Sequence, residues 1–460
     1  MQGVLFFIIF ILSSIPMFII GDKENLFLLF IHLIIALITS LSLSLYRSNP
    51  FSLYKIINLF YLFFLCIAPF FQFKYGITFW GAKEFTDNEY IYTSLIVLYT
   101  LLFYNLIYYI VYKRSKCKIV KKIHVNLSES IVTENKIRRK EFLCFLILDV
   151  AILFFLLYMY NFNLSNLFVR GGDTDSESFI DLQVTTLPQS ITLIITNFLR
   201  PMSVILLLAA YKLNAPKIEL FILAFFTLII AFPTSMPRFS AAAMYIPIVL
   251  SFISLLRKPN LFVFCFVMGI LIIFPFLNNF RNYSSDANIN IGLDFKMFLE
   301  GHFDSYAIFA HILCNNIMTY GNQILGVLFF WIPRTVWPSK PIGSGAYVAD
   351  ELNLNWSNIS CCFFGEGYIN FGFLGILLFV SFIAWFSASF DKIYWSTTLG
   401  NKKTKSFFEI IYFILLGLIF FMLRGDLMSS FAYTLGYISS ILFVYYLLKF
   451  YRKYKLTFRG

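Results

Sequence analysis

The sequence predicts an all-α polytopic membrane protein, and three observations predict it. Of 460 residues, 59% are hydrophobic and 13% charged, with a mean hydropathy of +0.78, far from the soluble norm of roughly half apolar and a quarter charged. Apolar runs of about 20 residues, the length a helix needs to cross about 30 Å of hydrocarbon, recur along the whole chain. The basic residues gather in a few connections between those runs. An open strand edge finds no partner in lipid, so the runs form a helical bundle. Residues 1–460 read as a single membrane domain.

The first run, "MQGVLFFIIFILSSIPMFII", lacks a basic leader and a small-residue cleavage site, so it reads as a retained spanning helix. With it, about twelve spans follow from hydropathy, at roughly 3–20, 26–45, 53–73, 90–112, 142–160, 190–211, 218–232, 239–256, 261–277, 363–388, 407–423 and 429–448. A net charge of +12 raises the question of a polyanionic partner, but the positions of the charges answer to topology. The connection 113–141 carries ten Lys or Arg and so belongs in the cytoplasm, which sets the sense of every other segment. Counted from there, 25 of the 36 basic residues lie inside and 10 outside, with Arg200 within a span. Both termini are then cytoplasmic, and no nucleic acid is expected.

Two outer connections stand out. Segment 161–189 is short and mostly polar. Segment 278–362 is too long for a mere connector; within it "IFAHILCNNIMTY" and "QILGVLFFWIPRTVW" are apolar enough to lie along or dip into the interface, at a depth that suits Trp331, Trp337 and Trp356. No internal repeat is visible.

The arginines carry the chemical signal. Arg170, Arg238, Arg281, Arg334 and Arg424 all fall on the outer side, mostly next to Gly or Pro, where the inside rule disfavours positive charge. A planar guanidinium suits phosphate oxygens and keeps its charge in a dry site, so a pyrophosphate is the natural partner of the set, with Lys340 beside Arg334. The plainer reading of each is an interface anchor or an ion pair with a neighbour such as Asp173 or Asp426. Arg200, deep in the sixth span, needs a polar cavity or a partner, of which Asp149 is the obvious one. For proton transfer the outer side offers Asp286, Asp294, Glu300, His302, Asp304, His311, Asp350, Glu351 and Glu366. Glu366 is singled out by its glycine-flanked place in "FFGEGYINFGFLGI", where a boundary carboxylate can act as a base. Its plainer reading is a helix-end charge meeting the N-terminal dipole. His302 is the substitute. His302 and His311 have no ligand spacing, and no metal or cofactor is expected. Of the cysteines, Cys314, Cys361 and Cys362 lie outside, where an oxidising compartment permits a bridge that nothing in the sequence demands. No phosphate-binding loop or dinucleotide fingerprint occurs.

In topology, and in "PRFSAAA", "FRNY", "WIPRTVWPSKP", "GEGYINFGFLGI" and "LRGDL", the chain resembles the Wzy-type O-antigen polymerases, whose architecture is related to the O-antigen ligases. The resemblance implies a ligase-like lipid-sugar glycosyltransferase fold with one large periplasmic loop. It implies a metal-independent enzyme of the bacterial inner membrane that joins undecaprenyl-pyrophosphate-linked oligosaccharide repeat units, as donor and acceptor, beside a chain-length regulator. On that reading Arg170, Arg200, Arg238, Arg281, Arg334, Lys340 and Arg424 bind pyrophosphate and Glu366 or His302 takes the proton, with inversion at the anomeric carbon. The stretch "WIPRTVWPSKPIGSGAY" then holds Arg334 and Lys340 over the pyrophosphate. A ligase, or a flippase for the lipid-linked unit, are the alternative readings.

Overall fold

The structure, a computed structural model, describes residues 2–18, 22–46, 49–114, 136–160, 162–168, 189–236, 238–273, 295–400 and 407–457. All regular elements among them are helical. The principal helices are α1 (Gln2–Ser14), α2 (Leu26–Ser44), α3 (Leu53–Lys74), α4 (Asp87–Arg114), α5 (Arg139–Met159), α6 (Gln189–Lys212), α7 (Lys217–Ile230), α8 (Arg238–Phe252), α9 (Leu261–Met268), α10 (Ser305–Cys314), α11 (Asn322–Leu328), α12 (Ser344–Glu351), α13 (Phe363–Gly400), α14 (Phe407–Arg424) and α15 (Leu427–Thr457). Eight helices among the described residues are long and apolar enough to cross a membrane, at the places expected for the second to fifth, seventh and last three spans. Shorter apolar helices at 3–14, 239–252 and 261–272 meet three of the other expected spans, and α6 meets the remaining one.

The bundle is organised around α3 and α14. Helix α3 is buried on every side, packed by α2, α13 and α14, and α13 lies along α4 while α8 and α15 flank α14. A helix buried all round must bring its polar groups their own partners. At the end nearest the basic segment, Ser52 caps α3 and the buried Asp391 of α13 accepts the first two amides of α3, from Leu53 (2.9 Å) and Tyr54 (3.1 Å). The phenols of Tyr108 (2.9 Å) and Tyr412 (2.6 Å) complete its shell. At the opposite, distal end, Gln72 of α3 donates to the carbonyls of Phe298 (2.9 Å) and Phe303 (3.0 Å) and pins the chain that leads into α10.

Two elements depart from the hydropathy pattern. The stretch "IFAHILC", expected near the interface, forms α10, which is buried from Ser305 to Leu313 and packs against α4, α13 and the π turn Phe63–Ile67 of α3. Helix α13 is not one straight span. Phe371 (φ −145°, ψ 21°) and Gly372 (φ 60°, ψ −145°) break it, and the short arm before the break folds back until the backbones of Gly367 and Gly375 touch. A Cβ on Gly375 would stand 1.8 Å from the Gly367 carbonyl oxygen, so this crossing excludes any side chain, and the φ of Gly372 suits only glycine. The freed carbonyl of Ile369 is satisfied by the amide and hydroxyl of Thr319 (2.7 and 3.2 Å), and Asn370 accepts the amide of Ile324 at the start of α11 (2.9 Å). The four glycines of "GEGYINFGFLGI" therefore build a helical hairpin whose short arm carries Glu366.

Replacing Gly375 by Ala is expected to lower the stability of the purified protein by about 1–3 kcal/mol through overpacking of the crossing. Gly3→Ala, with nothing within 4 Å of the added methyl, is expected to be neutral or stabilising by up to about 1 kcal/mol. Thermal unfolding in detergent compares the two, and equal melting temperatures would refute the hairpin crossing.

Candidate functional site

The distal end gathers three carboxylates and one guanidinium from parts of the chain far apart in sequence. Glu366, on the short arm of α13, is fully buried. One of its oxygens accepts the Ser344 hydroxyl (2.7 Å) and the other the Leu427 amide (2.8 Å). Both donors open helices, α12 and α15, so two positive helix ends converge on this carboxylate. Asp426, just before α15, accepts the Ser344 amide (2.7 Å) and the amide and hydroxyl of Ser429 (3.0 and 2.9 Å). The run Gly343-Ser344-Gly345 makes this approach possible. A Cβ on Gly343 would lie 2.9 Å from the Asp426 carboxylate, and one on Gly345 would lie 2.3 Å from the Ile359 carbonyl.

Beside this pair stands Asp304, buried at the start of α10. It accepts the Ser360 hydroxyl and amide (3.2 Å), the Trp80 indole (3.4 Å) and Nη2 of Arg424 at 3.4 Å. Arg424 is about one-third exposed, and its Nε is buried without a hydrogen-bond partner among the described residues. The Cys361 thiol lies beside Glu366, and Cys362 follows it in the chain, buried and subject to both the Glu366 and the Asp304 charge. Burial, with the Glu366 and Asp304 charges adding to it, pushes its thiol up to about 12 against hydrogen bonds from Gly365 and Phe364, so it is no nucleophile at neutral pH. No disulfide joins the cysteines described, Cys314, Cys361 and Cys362 among them.

The other expected ligands are placed differently. Arg334 donates to the carbonyls of Lys340 (2.7 Å) and Pro341 (3.3 Å) within its own loop. Lys340 is buried and donates to the carbonyls of Phe330 and Ile332 (3.1 Å). Burial and the neighbouring Arg334 hold its ammonium below its ordinary pKa. Both cations thus stitch the loop, and it is Ser344, at the end of the same stretch, that reaches Glu366. Arg200 is buried and donates to the Tyr160 hydroxyl (2.6 Å) and the Ser235 carbonyl (3.2 Å), tying α6 to the distal ends of α5 and α7. Its expected partner Asp149 is elsewhere, beside the Ser203 side chain of α6. His302 has Nε2 3.9 Å from Glu300, two residues before Asp304. Arg238 opens α8, and its neighbour Phe239 stacks on Phe421 of α14 at 3.5 Å, which brings that helix start to the Arg424 end. Arg170 and Arg281 lie outside the described residues, as do Asp173, Asp286 and Asp294.

Sequence reasoning missed Ser344, Ser360 and Trp80, which lack any charge to draw attention. The one trace of Ser344 is its setting between two glycines before a helix. Among the described residues no three His, Cys, Asp or Glu side chains come together as a metal ion would require.

The fold defines an all-helical, multi-pass membrane protein with a polar cluster buried at one end of the bundle. No protein-family model, no curated protein and no solved structure matches the chain.

The ion pair between Asp304 and Arg424 predicts a measurable coupling. Because Arg424 is partly exposed, a double-mutant cycle of Asp304→Asn and Arg424→Gln should return about 1 kcal/mol. Asp304→Asn alone should cost more, since it also weakens the bonds from Ser360 and Trp80. Additive effects in thermal unfolding would show that the pair contributes nothing.

Proposed function

We propose that the chain polymerises undecaprenyl-pyrophosphate-linked oligosaccharide repeat units into O-antigen or a related surface polysaccharide, at the periplasmic face of the bacterial inner membrane. On this reading the chain crosses the membrane twelve times with both termini in the cytoplasm, adopts the ligase-like lipid-sugar glycosyltransferase fold, and turns its distal end to the periplasm. The observation that carries the proposal is the position of Glu366. A carboxylate sits on a glycine-hinged arm, held by the Ser344 hydroxyl and the Leu427 amide with the Cys361 thiol beside it, and by no ion pair among the described residues. It shares an end of the bundle with Arg424 and the start of α8.

In the reaction an acceptor sugar hydroxyl attacks the anomeric carbon of the donor glycan. Glu366 takes the hydroxyl proton as the new C–O bond forms. The anomeric C–O bond to pyrophosphate breaks with inversion, and the lipid pyrophosphate leaves with the electron pair. Arg424 offers its unpartnered Nε–H to that developing charge, and Arg238, Arg170 and Arg281 are the further cations proposed for it. Arg334 uses two of its five donors on its own loop among the described residues, whereas Arg200 and Lys340 serve mainly to hold the frame. His302, beside Asp304, remains the substitute base, and a chain-length regulator is the proposed protein partner.

The test is the lipopolysaccharide ladder of cells lacking the gene, restored with wild type, Glu366→Gln or Arg424→Ala, with membrane levels of each variant checked by immunoblot. Deletion should leave a single repeat unit on the core. Glu366→Gln should rebuild almost none of the ladder, consistent with a loss of about 10²–10⁴ in rate for a missing general base. A ladder that survives deletion refutes the polymerase, and a core bare of any repeat unit after deletion points to the ligase instead.

A further inference from the structure

The segment from α11 to Val336 is built inside out for a water-facing loop. Helix α11 turns Gln323 inward together with Gly326 and Val327, and turns Leu325 and Leu328 outward at 45% and 53% exposure. The exposed side continues through Phe329, Trp331 (56%) and Val336 (75%). Single exposed apolar residues are ordinary, but a cluster of them, here interrupted by the exposed Arg334 and Thr335, marks an interaction surface.

Both cations of the loop give donors to its own backbone, Lys340 from a buried position and Arg334 from an exposed one. Lys340 is buried and gives its ammonium to the Phe330 and Ile332 carbonyls, while Arg334 closes on those of Lys340 and Pro341. The Ile332 and Val336 amides find the carbonyls of Phe329 and Pro333, both at 3.0 Å. A loop in water has no need to spend two cations on its own backbone. A loop in hydrocarbon does, because each polar group unsatisfied there costs several kcal/mol.

The occupant follows from what the patch adjoins. Phe330 packs edge-on against Phe431 in the first turns of α15 (6.0 Å), and a Cβ on Gly321 would meet the Phe371 ring at the hairpin tip (3.2 Å). From that tip the exposed surface runs on into Phe373, Leu374 and Leu378 of α13, a membrane-spanning helix. We propose that the outward face from Leu325 to Val336 is a lipid-contact surface, immersed in acyl chains at the distal rim of the bilayer, and that Lys340 and Arg334 satisfy the carbonyls this immersion would leave bare. The occupant is bulk bilayer hydrocarbon, and the proposal stands whether or not the chain is a polymerase.

Leu328→Cys and Val336→Cys, with Ser357→Cys as the exposed polar control, test it in full-length protein reconstituted in phosphatidylcholine nanodiscs. Labelling is read peptide by peptide in a mass spectrometer, so the native cysteines do not interfere. A sulfonated maleimide should label positions 328 and 336 at least about tenfold more slowly than position 357, because its charge is excluded from hydrocarbon. N-phenylmaleimide should narrow or reverse that ratio. Equal rates with the charged reagent overturn the proposal. Should the cysteine variants fail to fold, the wild type and Trp331→Phe are compared in nanodiscs of lipid brominated along the acyl chain. Loss of a quenched fluorescence component on removing Trp331 supports the surface, and unchanged quenching overturns it.

Discussion

The contact between the backbones of Gly367 and Gly375 is the constraint on which the distal end depends. Without it the apolar run from Phe363 would be one straight helix, and Glu366 would sit at its tip. With it, the first arm turns back into the protein, Glu366 becomes fully buried, and the freed carbonyls and Asn370 become docking points for Thr319 and α11. Gly365 serves the same arm on its other side, where a Cβ would press on Ile312 of α10 at 3.1 Å. One crossing therefore fixes the position of the carboxylate, the placement of the buried helix α10 and the anchoring of the loop that follows it.

Much of the bundle was legible because hydrocarbon imposes a simple rule: a run of apolar residues long enough to cross must be helical. Eight of the twelve apolar segments meet helices long and apolar enough to cross, and the other four meet further helices among the described residues. What hydropathy could not reveal is direction within a run. Nothing in the apolar character of "FFGEGYINFGFLGILL" distinguishes a span from a hairpin, and only the spacing of its glycines carries the difference. The placement of α10 was hidden for a related reason, since an apolar segment of ten residues can meet lipid or protein equally well. The site was half legible. Glu366, Arg424 and Asp304 announce themselves by charge, but the pairing of Arg424 with Asp304 bridges 120 positions and has no local signature. The roles of Arg334 and Lys340 were opaque because their acceptors are backbone carbonyls, which every residue supplies.

The bundle holds buried carboxylates in two ways. Some charges are neutralised in kind: near the basic end Glu141 receives a two-pronged bond from Arg452 (3.0 and 3.1 Å) and Glu409 is shared by Lys212 and Arg257, and at the distal end Asp304 meets Arg424. Such pairs are rigid, and removing either partner strands the other. Glu366 and Asp426 at the distal end, like Asp391 at the other, are held instead by hydroxyls and by amides at helix starts. These donors orient a carboxylate without committing a cation to it.

That difference also decides which part of the seal over Glu366 is easier to part. Two bonds close the carboxylate off, one from Leu427 and one from Ser344. Leu427 begins a helix of 31 residues packed along α6 and α14, so moving it disturbs the bundle. Ser344 begins a helix of eight residues on a loop that satisfies its own carbonyls. Because Arg334 and Lys340 bond within the loop, it can shift as a unit while breaking few bonds to the rest of the protein, chiefly those of Ser344 to Asp426 and Glu366. Any group that reaches Glu366 therefore meets less resistance from the side of α12 than from that of α15.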